Sequence, residues 1–177
     1  MSKTASPLFD NSPILIALGA NLPTEAFGPP RAALEAALAE LGRRRLHVTR
    51  RSRWYESAPV PASDQPWYVN GVVEVETSLD PEPLLSLLHE VEAAFGRVRR
   101  EPNAPRTLDL DLIAYGAVVR EEGPPPLLPH PRMAKRAFVL LPLAEIRPEW
   151  RHPVLHRTAA EMAAELPEDQ PIRVAQG

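Results

Sequence analysis

The chain predicts an α+β sandwich whose elements run strand, helix, strand, strand, helix, strand. Three observations lead there. Short stretches of alternating or continuous apolar residues recur near 13–19, 47–55, 68–77 and 107–115. Two longer stretches between them carry leucine at helical spacing. Proline and glycine mark the joins.

Residues 13–19 (PILIALG) read as a buried strand. Pro29-Pro30 opens an alanine-rich helix over about 30–42, with Leu34, Leu38 and Leu41 on one face and Gly42 closing it. His47 to Tyr55 alternates loosely and reads as the second strand; Tyr68 to Thr77 alternates cleanly and reads as the third. Asp80-Pro81 starts a helix to about Phe95, with Leu84, Leu87, Leu88 and Val91 on one face and Gly96 at its end. Thr107 to Tyr115 is the fourth strand, followed by a Pro-rich loop, an apolar stretch from Phe138 to Ile146 and a short helix over about 157–165. This is the ferredoxin-like βαββαβ order, with a largely antiparallel sheet, helices on one face and a C-terminal extension. The other face, with its long loops, is where a site can be built.

Composition narrows the function classes. Of 177 residues, 44% are hydrophobic and 24% charged, which excludes global disorder and fits one domain. The net charge of −3 argues against a dedicated nucleic-acid or membrane-surface binder. With no cysteine, disulfides, thiolate metal sites and cysteine nucleophiles are excluded. Lys3 and Lys135 are the only lysines among 20 basic residues, and proline occurs 22 times; G·C-rich codon drift accounts for both global excesses. Lys3 before the apolar run Ile14 to Ala20 faintly resembles a secretion signal, but Asp10 and Pro13 precede a run that reads better as a strand. No run approaches the roughly 18 apolar residues of a membrane span. The expectation is a cytoplasmic protein with a flexible tail over 1–12, a single domain over 13–166 and a C-terminal tail over 167–177.

The sharpest motif is Thr107-Leu108-Asp109-Leu110-Asp111-Leu112. On a strand, Asp109 and Asp111 share one face about 7 Å apart while the leucines turn to the other. Paired carboxylates on a rigid element suit a hard divalent cation such as Mg²⁺; a solvated outer face is the alternative. Arg97, Arg99, Arg100 and Arg106 lie just upstream, and guanidinium beside a carboxylate–metal pair is a design for polyphosphate. There is no GxxxxGK[ST] and no GxGxxG, so a nucleotide site must rely on side chains. Tyr68 and Asn70 fall on one strand face, and an aromatic surface beside a carboxamide suits a flat, hydrogen-bonding heterocycle. His130 stands in a Pro-rich loop, as a phosphate or ribose contact or simply an exposed side chain. The other histidines show no metal-ligand spacing, and no Ser/His/Asp signature is present. Arg50-Arg51-Ser52-Arg53-Trp54 reads as a strand edge rather than an RNA contact.

Together the segments Leu18-Gly19-Ala20-Asn21-Leu22, Asp64-Gln65-Pro66 with Tyr68 and Asn70, Gly96-Arg97-Val98-Arg99, and Pro105-Arg106-Thr107-Leu108-Asp109-Leu110-Asp111 resemble the 6-hydroxymethyl-7,8-dihydropterin pyrophosphokinase family of the folate pathway. Pro129-His130, Arg136, Phe138, Pro142-Leu143 and Glu145-Ile146 extend the likeness, which runs from about 13 to 148. The resemblance implies diphosphate transfer from ATP to the pterin hydroxymethyl oxygen, with release of AMP. It implies that Asp109 and Asp111 bind two Mg²⁺ ions and that Arg97 and Arg106 stabilise charge on the transferring group. It further implies that Glu92, Arg99, His130 and Arg136 contact ATP, and that the pterin lies between Tyr68 and Phe138. Asn70 then reads the pterin edge, with backbone groups near Ser57 and Val60. The implied partners are these small molecules alone, with no nucleic acid and no membrane, bound by a monomer.

Two departures from the family pattern stand out. The family usually carries an Arg-Trp pair just before the segment matching Pro105-Arg106, whereas Arg100-Glu101-Pro102-Asn103-Ala104 is a residue shorter and has no Trp. Pro125 and Leu127 also stand where polar ATP contacts are common. The rival readings are a Mg²⁺-dependent nucleotidyl or phosphoryl transferase on another acceptor, an RNA-binding module of the same strand–helix order, and a catalytically dead scaffold. The aromatic run of RNA-recognition domains is missing, and Asp109 and Asp111 would repel phosphate without metal.

Overall fold

A computed structural model of the chain describes residues 12–59, 61–96 and 107–176. The elements are β1 (Ile14–Ala20), α1 (Pro30–Arg43), β2 (His47–Arg51), β3 (Tyr55–Ser57), β4 (Tyr68–Glu76), α2 (Pro81–Ala94), β5 (Asp109–Tyr115), a 3₁₀ turn (Met133–Lys135), α3 (Ala137–Ile146), α4 (Ala159–Ala164) and β6 (Ile172–Val174). They form one six-stranded sheet in the order β5-β1-β4-β3-β6, with β2 sharing an edge of β4 with β3, and every pairing is antiparallel.

The expected second strand is interrupted. β2 pairs with Val73–Glu76 and β3 with Tyr68–Asn70. Between them the Ser52 hydroxyl accepts the Val72 N–H at 3.0 Å and donates to the Arg53 carbonyl, pulling the chain out of the ladder. The Trp54 ring then lies against Gly71, where a Cβ would come within 2.6 Å of it, so glycine makes this break packable. A second difference concerns Gly42. α1 runs through Arg43, and the left-handed residue after it is Arg45 (φ 67°), whose N–H bonds the Gly42 carbonyl. A third concerns the C-terminal tail expected over 167–177, because Ile172–Val174 of that span form β6 on the free edge of β3.

The sheet is covered unequally. On one face α1 and α2 bring Leu34, Leu41, Leu84, Leu88 and Val91 onto Ile16, Leu18, Leu108, Leu110 and Leu112. Each large side chain fully buried there contributes about 1.5–3 kcal/mol of hydrophobic stabilisation. The two helices of the βαββαβ unit therefore lie on one face, as the order predicts. The extension supplies α3 and α4 to the opposite face, where Val139, Leu140, Leu143 and Met162 pack on Leu15, Val72 and Ile113. α3 is also docked by charge. Glu145 accepts the Tyr55 hydroxyl at 2.7 Å and the Arg53 N–H at 2.8 Å, and Arg147 holds Glu74 of β4 at 2.7 Å. Burial and the Glu145 carboxylate push the Tyr55 phenol up to about 12, so it remains a donor at any working pH.

Candidate active site

The site begins with the pleat of β5. Leu108, Leu110 and Leu112 are at most 3% exposed beneath α1 and α2, which turns Asp109 and Asp111 to the other face. Farther along that face Ile113 lies under α3, so one strand face carries carboxylates where α3 is absent and an apolar residue where it covers the sheet. Register then sets the neighbours. Asp109 stands opposite Gly19, Gly19 opposite Asn70, and Asn70 opposite Tyr55; one row on, Tyr68 stands opposite Ser57. With strands about 4.8 Å apart, Asp109 and Asn70 are roughly 10 Å apart across β1.

Gly19, Ser57, Tyr68, Asn70, Asp109 and Asp111 line a cavity of about 370 Å³ together with Arg136 and Phe138. Residues distant in sequence thus meet in one place, and of the expected residues Ser57, Tyr68, Asn70, Asp109, Asp111, Arg136 and Phe138 are all there. Asn70 is 4% exposed; its Nδ2 donates to the Ser57 hydroxyl at 2.7 Å, which orients the carboxamide. A Cβ on Gly19 would stand 3.1 Å from Asn70 Oδ1, so glycine on the middle strand leaves room for that oxygen. The Arg136 guanidinium sits 5.2 Å from the Phe138 ring centre, a cation–π contact within the cavity wall.

His130 and Glu92 act from beside the cavity lining. The His130 N–H bonds the Ile113 carbonyl at 2.8 Å, fixing the loop to β5, and its Nδ1 accepts the Arg132 N–H at 3.2 Å. Nδ1 being an acceptor, the neutral ring carries its proton on Nε2. Burial, with Arg136 and Arg132 nearby, pulls its pKa down to about 4, while Asp109 pulls the other way. Glu92 is 1% exposed and its Oε2 accepts the Leu110 N–H at 2.9 Å, bracing β5 from the α2 side. Arg97, Arg99, Arg106 and Val60, and the Trp-free loop at 100–104, lie outside the described residues.

Other lining residues come from places where the sequence carried no signal. Lys135 lies in the 3₁₀ turn, and Pro167, Asp169 and Gln170 come from beyond the expected domain end. Gln65, within the Asp64-Gln65-Pro66 segment, lines the opposite side; buried Asn21 donates to its Oε1 at 3.1 Å and to the Pro66 carbonyl at 3.2 Å, tying this loop to the end of β1. The arginines of β2 and its break are partnered by carboxylates, Arg51 with Glu35 and Arg53 with Glu145.

The donor chemistry suits Mg²⁺. Asp109 and Asp111 offer oxygen at the cavity wall, and among the described residues no cluster of three or more His, Cys, Asp or Glu forms a closed metal cage. That arrangement matches an ion that fills its shell with water and substrate phosphate. Among the described residues no helix is long and apolar enough to cross a membrane.

The profile of the 7,8-dihydro-6-hydroxymethylpterin-pyrophosphokinase family matches residues 15–148. A 2-amino-4-hydroxy-6-hydroxymethyldihydropteridine pyrophosphokinase of Synechocystis is 41% identical over 153 residues, covering 86% of this chain and 75% of its own. The Pseudomonas aeruginosa protein of the same name is 41% identical over 143 residues, covering 79% and 83%. Among solved structures, Plasmodium falciparum HPPK-DHPS with pterin and p-hydrobenzoate aligns with a TM-score of 0.64 at 14% identity. It shares the fold, covering 86% of this chain, which spans only 44% of that longer one.

Proposed function

This chain belongs to the 7,8-dihydro-6-hydroxymethylpterin-pyrophosphokinase family, and from that membership we propose how its cavity carries the reaction. The enzyme transfers diphosphate from ATP to 6-hydroxymethyl-7,8-dihydropterin and releases AMP, a step of folate biosynthesis. The observation that carries the residue assignment is that Asp109, Asp111, Tyr68, Asn70, Arg136 and Phe138 line one cavity.

Tyr68 and Phe138 sandwich the pterin ring. The Asn70 carboxamide, oriented by Ser57, reads the ring edge together with backbone groups near Ser57 and Val60. This places the hydroxymethyl oxygen at the β5 side of the cavity, where the polyphosphate must arrive. Asp109 and Asp111 hold two Mg²⁺ ions. When bound, these ions neutralise phosphate oxygens and draw charge from the phosphorus under attack. Arg97 and Arg106 stabilise charge on the transferring diphosphate, and Arg99 and Arg136 hold ATP by bidentate contacts to its oxygens. His130, neutral with its proton on Nε2, donates to ATP without adding charge. Glu92, expected to contact ATP, is buried and bonded to the Leu110 N–H, so its part in ATP binding is the indirect one of keeping β5 in register. The hydroxymethyl oxygen loses its proton to solvent and forms the new bond to the β-phosphorus as the bond from that phosphorus to the α,β-bridging oxygen breaks, and AMP leaves. In-line transfer of this kind depends on positioning and electrostatics rather than a covalent enzyme intermediate. We place the enzyme in the cytoplasm as a monomer working on small molecules.

The test is nucleotide chromatography after incubation with ATP, Mg²⁺ and the reduced pterin alcohol, with and without chelator. AMP that forms only with both pterin and Mg²⁺ is the expected result. ADP would identify an ordinary phosphoryl transferase, and pyrophosphate a nucleotidyl transferase.

A further inference from the structure

We propose that Gln170 is a positioning residue of this active site, acting through Arg136 and Phe138, and that residues 170–172 strap the two walls of the cavity together. The inference rests on the pyrophosphokinase reading for the role of Phe138. It adds a part of the chain beyond the family match, which ends at residue 148.

The Gln170 side chain brackets Arg136 on both sides. Its Oε1 accepts the Ala137 N–H at 3.0 Å and its Nε2 donates to the Lys135 carbonyl at 2.8 Å. One partner only donates and the other only accepts, so the carboxamide has a single satisfied orientation. Arg136 is the N-cap of α3, at φ −107° and ψ 112°, and no side chain of its own caps the helix. The Ala137 N–H is among the first-turn amides that a helix cannot satisfy internally, and Gln170 supplies the missing acceptor. The backbone that aims Arg136 and Phe138 is therefore held between two hydrogen bonds from one distant side chain.

The next two residues grip the opposite wall. The Pro171 carbonyl accepts the Ala58 N–H at 3.0 Å, and Ile172 pairs with Ser57 in the β3–β6 ladder. Ser57 and Ala58 line the pterin side of the cavity, whereas Arg136 and Phe138 line the side formed by the start of α3. Three consecutive residues thus fix the separation of the two aromatic walls, a distance on which a stacked heterocycle depends.

A double-mutant cycle on pterin affinity tests this, with calorimetry on wild type, Gln170→Leu, Phe138→Ala and the double variant. Gln170→Leu is expected to weaken pterin binding about tenfold, a fold-change typical of losing charge-neutral positioning bonds. The double variant should bind no more weakly than Phe138→Ala alone, because Gln170 acts through that ring. Gln170→Glu keeps the acceptor for Ala137 and loses the donor, so its affinity should fall between wild type and Gln170→Leu. Amide exchange at Ala137 should be faster in Gln170→Leu than in Gln170→Glu, and this readout follows the bond itself. Wild-type affinity in Gln170→Leu, or independent additive losses in the cycle, would overturn the proposal while leaving the pyrophosphokinase reading intact. If Phe138→Ala alone left pterin binding unchanged, the stacking role would fail, and the proposal with it.

Discussion

The two faces of the sheet follow different rules although the same strands make both. Under α1 and α2 the inward positions are apolar and sealed, from Leu34 and Leu84 on the helices to Ile16 and Leu110 on the strands, with Glu92 the buried exception, bonded to the Leu110 N–H. On the other face α3 and α4 cover only the Leu15, Val72 and Ile113 end, and beyond that cover the strands carry Asp109, Asp111, Asn70 and Tyr68. Partial cover is what creates the cavity. A carboxylate pair would be intolerable under a helix, and here it lies on the stretch of this face of β5 that α3 and α4 leave uncovered. Stability is concentrated on the sealed face and chemistry on the half-covered one, divided by a single layer of backbone.

Adjacent residues of β5 sharpen that contrast. Asp111→Asn is expected to lower the rate of AMP formation by roughly a thousandfold, on the order of 4 kcal/mol of transition-state stabilisation. Its thermal midpoint should stay near that of wild type; steady-state kinetics beside a melting curve would check both, and preserved turnover would remove Asp111 from the site. Leu110→Ala, one position away and facing the helices, should do the reverse. Emptying a site that is 2% exposed should cost about 2–5 kcal/mol of unfolding free energy, read from urea denaturation, while the folded fraction keeps most of its turnover. If both variants lost activity and stability together, the division between the faces would be wrong.

A third expected effect is one of pH. The pKa of His130 is about 4 in the fold and near 6.5 when the chain is unfolded. Between those values the unfolded state binds the extra proton, so stability rises with pH across the window and is lost as pH falls from 6.5 towards 4. His130→Gln should flatten that part of the curve in denaturation series run at several pH values. An unchanged slope would show that His130 does not titrate differently in the two states.

Legibility in the sequence followed the same division. Helix positions such as Leu84, Leu88 and Val91, and the Asp109/Asp111 alternation, are periodic, so their faces could be read directly from spacing. The Ser52–Trp54 break was hidden because it depends on Gly71 facing the Trp54 ring across the sheet, a relation between strands rather than along one. Gln170 was hidden for a similar reason. Its proposed role rests on bonds to residues 35 and 33 positions earlier, and a glutamine before a proline reads in the sequence like any loop. Asn70 was legible as a face partner of Tyr68, but its orientation by Ser57 required the β3–β4 register. Local pattern thus revealed which residues could do chemistry, and the sheet register decided which of them meet.

β5, the strand that carries the aspartates, is also the outermost strand of the sheet on its side. An edge strand is a template on which another chain can add a strand, and the charged Asp109 and Asp111 make that pairing less favourable. The buried Glu92 carboxylate occupies the Leu110 N–H, in the middle of the motif. The Glu92 carboxylate on the Leu110 N–H and the His130 N–H on the Ile113 carbonyl thus occupy backbone positions of β5 that an added strand would need.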